Sequence, residues 1–153
     1  MEKSYYKSPI GNLEIVCEAG CLVSLKLTDK ISAECTESSF IIKIKKQLEE
    51  YFSGKRKTFD IKINPAGTEF QKRVRHELLK IPYGSTKSYS EIARNIGKPN
   101  AQRAVGSACN KNPIMIVIPC HRVVSKNGDL TGFVCGLNVK KKLLELEKNT
   151  LNI

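Results

Sequence analysis

The 153-residue sequence has no long hydrophobic run. Its longest apolar stretch, residues 114–118, is far too short to cross a bilayer, so a membrane-spanning helix is excluded. The opening residues Met1-Glu2-Lys3-Ser4-Tyr5 carry no apolar signal-peptide core, so a cytoplasmic protein is expected, or a nuclear one in a eukaryote. Histidine is scarce: neither of the two stands at zinc-finger spacing from the pair Cys17-x3-Cys21. No metal is expected; the pair leaves one open, but small apolar side chains in a hairpin account for it more simply. The six cysteines, with no secretion signal, read as thiols and not as a disulfide framework. Acidic residues are few, 15 against 26 basic, for a net charge of +11. Residues 1–64 hold 11 basic and 9 acidic side chains, and residues 65–153 hold 15 and 6. An excess concentrated in the second part favours a polyanion such as nucleic acid, with plain solubility as the competing account.

What is present divides near Asn64-Pro65-Ala66-Gly67. Residues 1–64 read as a small α+β supporting domain. Strands at 5–6, 13–16 and 21–27 are separated by the turn signals Pro9-Ile10-Gly11-Asn12 and Glu18-Ala19-Gly20. A helix over 39–52 carries Phe40, Ile44, Leu48 and Tyr51 at helical spacing and stops at Gly54, and residues 59–63 alternate like a returning strand. The domain over 65–153 reads as mainly helical, which makes the fold class α+β. Thr68 and Gln71 form a capping box before Phe70, Val74, Leu78 and Ile81. Ser88 and Glu91 form another before Tyr89, Ile92, Ala93 and Ile96, with Gly97 at the stop. Asn100 can cap a further helix reaching about Asn110. Two short helices joined by a tight glycine turn are the signature of a helix-turn-helix, although ordinary αα-hairpins share it. On the second helix Ala101, Val105, Ala108 and Cys109 face one way, and Arg103, Gly106, Ser107 and Asn110 the other. A face of small residues bearing one long cation can approach a nucleic-acid groove closely; a solvated surface arginine is the plainer account of Arg103.

Residues 115–118 read as a short buried strand running into Pro119-Cys120-His121-Arg122-Val123. A thiolate is the nucleophilic form of cysteine, and a nearby imidazole can take its proton directly or through water. Adjacent side chains on an extended strand diverge, so a turn or a bridging water is needed. A C-terminal helix over about 137–148 places Glu147 beside Leu143 at the edge of its apolar stripe, where a carboxylate needs a partner. A Cys-His-Glu relay follows; a buried structural cysteine, a core histidine and an ion pair of Glu147 with Lys140 or Lys148 are the competing accounts. A regulatory DNA-binding module and a thiol hydrolase remain open on these features alone.

Ile118-Pro119-Cys120-His121-Arg122-Val123, with Arg103-Ala104-Val105-Gly106, Asn112-Pro113 and Gly136-Leu137 in the same order, resembles the motif set of the O6-alkylguanine-DNA alkyltransferases. The resemblance is strong over 68–147 and loose before it. It implies a single-turnover methyltransferase that moves an alkyl group from the O6 atom of guanine in double-stranded DNA onto Cys120, irreversibly and without a cofactor. His121 would deprotonate Cys120 through a water, Glu147 would hold the imidazole, and Asn112 would brace the active-site turn. Tyr89, Val123, Phe133, Val134 and Cys135 would line the base pocket, Tyr89 also aiding extrusion of the nucleotide. Arg103 would enter the duplex in place of the flipped base. Ala104, Gly106 and Ser107 would lie along the minor groove, and Lys87 and Arg94 would contact phosphate irrespective of sequence. A monomer is implied. The loop 131–136 departs from the usual pattern: Phe133 stands where tyrosine is frequent, Val134 where serine or alanine is usual and Cys135 where glycine is common, which favours methyl over bulky adducts.

Overall fold

The structure is a computed structural model that describes residues 1–126 and 136–152. It falls into two compact units, Met1–Ala66 and Gly67–Ile153. In the first, strands β1 (Glu2–Ser8), β2 (Gly11–Glu18) and β3 (Cys21–Leu27) form an antiparallel sheet in that order. Helix α1 (Ser39–Phe52) is capped by the Ser38 hydroxyl and buries Ile41, Ile44, Leu48 and Tyr51. Leu13, Ile15, Leu22 and Leu25 are fully buried from the sheet. Residues 59–63 do not return as a strand. They make a single parallel bridge, Leu22 to Ile63. Gln47 occupies the neighbouring backbone instead, donating to the Asp60 carbonyl (3.2 Å) and accepting from its N–H (2.9 Å). Cys17 is buried on β2, and burial pushes its thiol up to about 11, which fits a packed side chain.

The second unit opens with α2 (Glu69–Leu78), where Thr68 and Gln71 close both halves of the capping box. A two-residue strand β4 (Lys87–Ser88) leads into α3 (Tyr89–Asn95), capped in the same way by Ser88 and Glu91. Gly97, at φ +78, closes α3: its N–H reaches the Arg94 carbonyl (3.0 Å) and that of Lys98 reaches Ala93 (2.9 Å). This paired bond pattern needs a left-handed residue, which glycine supplies without strain. Helix α4 (Gln102–Asn110) follows and packs on α2 and α3. Asn100 does not cap it. The preceding turn is closed by the Ala101 N–H on the Lys98 carbonyl (2.9 Å), so Ala101 takes the cap position without a side-chain bond.

Residues 115–118 are not a strand either. They are a chain of tight turns ahead of a 3₁₀ turn, Cys120–Arg122, and the two-residue strand β5 (Val123–Val124), which pairs parallel with β4. The Val117 N–H bonds the Met115 carbonyl (2.8 Å) around Ile116, whose φ is +72. The Cys120 N–H bonds Ile118 (2.8 Å) around Pro119 at φ −81 and ψ 64. Both are three-residue γ-turns. A short apolar run buried on all sides has no period that separates strand from turn. Helix α5 (Leu137–Leu151) ends the described chain.

Candidate active site

Cys120 therefore stands at the head of a 3₁₀ turn, not at a strand end, and is 3% exposed. Asn112 braces the loop before it: its side-chain amide donates to the Ile118 carbonyl (2.9 Å), and its carbonyl oxygen accepts from the Ile114 N–H (3.1 Å). Its backbone N–H is held by Cys109 at the end of α4 (3.2 Å), so the thiol-bearing turn is tied to the helix-turn-helix.

The 3₁₀ turn also settles where the next two side chains go. His121 and Arg122, which would diverge on an extended strand, converge on Glu147 of α5. His121 Nε2 lies 2.6 Å from Glu147 Oε2. Arg122 donates from Nε to Oε1 (2.8 Å), from Nη2 to Oε2 (3.1 Å), and from Nη1 to the Ile81 carbonyl (2.9 Å). The Gly84 N–H donates to Oε1 (3.0 Å). All three side chains are buried. The ion-pair partners seen for Glu147 are thus His121 and Arg122.

Burial opposes the charge of Glu147, but the hydrogen bonds from His121 and Arg122 outweigh it and hold the carboxyl well below the usual range. The carboxylate can only accept, so Nε2 of His121 carries the proton and donates. Burial, against the pull of Glu147, lowers the pKa of His121 and keeps the ring neutral. Its other nitrogen, Nδ1, is buried with no hydrogen-bond partner among the described residues. A neutral imidazole in this tautomer presents Nδ1 as the base.

Sequence reasoning gave Arg122 no role, read Cys109 only as an inward-facing residue of the second helix, and offered Lys140 only as a partner for Glu147. Lys140 is fully buried, its Nζ 3.4 Å from the Tyr89 hydroxyl and 5.7 Å from that ring's centroid. Burial pushes Tyr89 up to about 12, helped by the charges of Cys109 and Cys120, so the phenol stays protonated. Burial pushes Cys109 up to about 12 as well, helped by Cys120 and opposed by Lys140. Cys120, Cys109, Tyr89 and Lys140 are therefore one electrostatic cluster. The signal for Lys140 was its place three residues before Leu143 and seven before Glu147, on the same helical face.

On α4 the residues Val105, Ala108 and Cys109 are buried, and Arg103, Ala104 and Ser107 are exposed. A Cβ added at Gly106 would lie 3.8 Å from the Tyr89 ring, so the ring packs beside this bare stretch of helix. Arg94 is exposed, while Lys87 is half-buried and 3.6 Å from Glu91. Val123 is fully buried in β5. Phe133, Val134 and Cys135 lie outside the described residues.

Gly84 sits at φ +79, and an added Cβ would collide with Leu151. Gly84→Ala is expected to destabilise this unit by about 1–2 kcal/mol from the left-handed backbone alone, measured by urea unfolding. A neutral result would mean that this turn relaxes freely.

Comparison with known proteins gives this arrangement its family. Residues 69–149 match the DNA binding domain of 6-O-methylguanine DNA methyltransferase, and residues 1–65 match the ribonuclease-like domain of the same proteins. A methylated-DNA–protein-cysteine methyltransferase of Methanosarcina acetivorans is 46% identical over 153 residues, covering 96% of this chain and 98% of its own. One of Mycobacterium leprae is 44% identical, covering 93% and 89%. Among solved structures, the Mycobacterium tuberculosis OGT in complex with DNA superposes with a TM-score of 0.90 at 43% identity, over 98% of this chain and 94% of that one. The chain belongs to the 6-O-methylguanine DNA methyltransferase family. Among the described residues no helix is long and apolar enough to cross a membrane.

Proposed function

We propose that the protein repairs DNA by taking the alkyl group of O6-alkylguanine onto Cys120, once per molecule. The observation that carries the reading is that Cys120 and a neutral, carboxylate-oriented imidazole share one 3₁₀ turn, whose approach Asn112 braces against the helix-turn-helix. The Cys120 S–H proton passes to Nδ1 of His121 through a water. The thiolate sulfur attacks the alkyl carbon, a C–S bond forms, and the C–O6 bond breaks with its electron pair going to the base. Tyr89, held protonated, donates a hydrogen bond to the departing guanine, and the buried Lys140 beside it offsets the negative charge that develops there. The base anion takes up one proton, the count balanced by the thiol proton that His121 returns to solvent, so the products are unmodified guanine and a thioether, which water does not reverse.

The O6 atom lies inside the base stack, so the nucleotide must leave the duplex, at a cost of a few kcal/mol. The exposed Arg103, on a helix face with little bulk, fits a finger that fills the vacated space from the minor groove, with Ala104, Gly106 and Ser107 along the groove. Arg94 and Lys87 supply phosphate contacts indifferent to sequence, Lys87 the weaker because Glu91 already holds it. Val123, with Phe133, Val134 and Cys135, completes the base pocket, and the protein acts as a monomer on DNA in the cytoplasm, or in the nucleus of a eukaryote.

Intact-mass and peptide mass spectrometry after mixing with duplex DNA containing O6-methylguanine tests this. The expected result is one methyl per protein, on the Cys120 peptide, and none on Cys120→Ser. No mass gain, or repeated turnover, would overturn it.

A further inference from the structure

We infer that Arg122 is a positioning residue that keeps the His121 imidazole unprotonated by sharing the carboxylate of Glu147 with it. The inference rests on the reading of His121 as the base for Cys120. Four hydrogen bonds from Gly84, His121 and Arg122 reach the two oxygens of Glu147, two on each. Oε1 takes Gly84 N–H (3.0 Å) and Arg122 Nε (2.8 Å); Oε2 takes His121 Nε2 (2.6 Å) and Arg122 Nη2 (3.1 Å). A buried carboxylate facing an imidazole alone draws a proton onto the ring, because the resulting ion pair is strongly favoured where the dielectric is low. A ring already protonated cannot accept the thiol proton. The guanidinium is permanently charged and holds the same carboxylate by a planar two-bond fork, so it takes up much of that field. It cannot swing away: Nη1 is fixed on the Ile81 carbonyl (2.9 Å) and the group lies 5.6 Å from the Tyr83 ring centroid.

The charged and titratable groups near the ring act in opposite senses. Glu147 on α5 favours the imidazolium. Arg122 on the same turn and Lys140 on α5 oppose it, as burial does. Tyr83 lies under Arg122, and the thiols Cys109 of α4 and Cys120 complete the surroundings through their coupling to Lys140. Of the two cations, the Lys140 ammonium lies 3.4 Å from the Tyr89 hydroxyl, while Arg122 holds, by two hydrogen bonds, the carboxylate that orients the ring. Its place in the cluster is therefore to leave Glu147 able to orient the ring without loading it.

The test uses the full chain, whose two histidines are His121 and the exposed His76. Carbon-13 labelling of histidine Cε1 gives two resolved titrations by NMR without DNA. Arg122→Gln is expected to raise the pKa of His121 by roughly one unit or more. The acid limb of the single-turnover pH–rate profile should move up with it, so transfer falls off on acidification at a higher pH than in the unaltered protein. A folded Arg122→Gln protein with an unmoved His121 titration, or a rate lowered equally at every pH, would overturn the proposal. Where that variant does not fold, Arg122→Lys decides. It retains the charge, so His121 should titrate as in the wild type, and a rise of about a unit would sink the idea. Failure of the unaltered protein to alkylate Cys120 would strike at the repair reading and leave the NMR titration standing on its own.

Discussion

Glu147→Ala is expected to cost the second unit about 3–5 kcal/mol, because it strands a buried guanidinium and an imidazole that share one carboxylate. Arg122 is 6% exposed and His121 and Glu147 fully buried, so no solvent replaces the lost partner. The Gly84 N–H loses its acceptor at the same time. Urea unfolding followed through this unit measures the loss, and a change under about 1 kcal/mol would show that the cluster does not depend on its anion. The same groups set a pH dependence. The carboxyl of Glu147 is held below its ordinary value in the fold, so between the unfolded value of about 4.3 and the folded one the unfolded chain binds the extra proton. His121 is lowered too, so below about 6.5 the unfolded chain again binds a proton that the folded one refuses. Both contributions are complete above these unfolded values and are lost on acidification. Stability is expected to decline from about pH 6.5 and more steeply below about 4.3. In Glu147→Ala the second, steeper step attributable to this carboxyl should vanish.

Arg103→Ala is expected to slow repair of duplex DNA about 100-fold while leaving transfer from a free O6-alkylguanine base nearly unchanged. The side chain is exposed on α4, and the hydrogen bonds of the Glu147 cluster come from Gly84, His121 and Arg122. Its expected contribution is to offset part of the few kcal/mol that extrusion of a nucleotide costs, and every 1.36 kcal/mol is tenfold in rate. Single-turnover rates on the two substrates separate the steps. Equal losses on both would place Arg103 in the chemistry and not in the opening of the duplex.

Where local chemistry decided structure, the sequence was legible. Thr68 with Gln71 and Ser88 with Glu91 close their capping boxes, and the turn at Gly97 joins two helices at the expected places. The nearness of His121 and Glu147 was legible too, since an acid at the border of an apolar stripe requires a buried donor. Residues 115–118 were not, because a short apolar run buried on every side carries no period, and its γ-turns depend on Asn112 gripping the backbone of Ile114 and Ile118. Arg122 was passed over for a related reason. Only once the chain winds into a 3₁₀ turn do two consecutive side chains reach the same carboxylate. Lys140 looked like a partner for Glu147 by proximity along α5, yet its ammonium turns to Tyr89 instead. The regular elements come from near neighbours in sequence, and the site comes from contacts such as Gly84 with Glu147, 63 positions apart.

That span bears on how the molecule can be cut. Cys120, both helices of the helix-turn-helix and the bracing Asn112 all precede residue 126, whereas the carboxylate that meets His121 belongs to α5. A protease nick ahead of residue 147 would leave a fragment able to recognise a double helix while stripping its thiol of the proton relay. Fraying of α5 on gentle warming would do the same reversibly, so heat should silence the chemistry before it loosens the grip on nucleic acid.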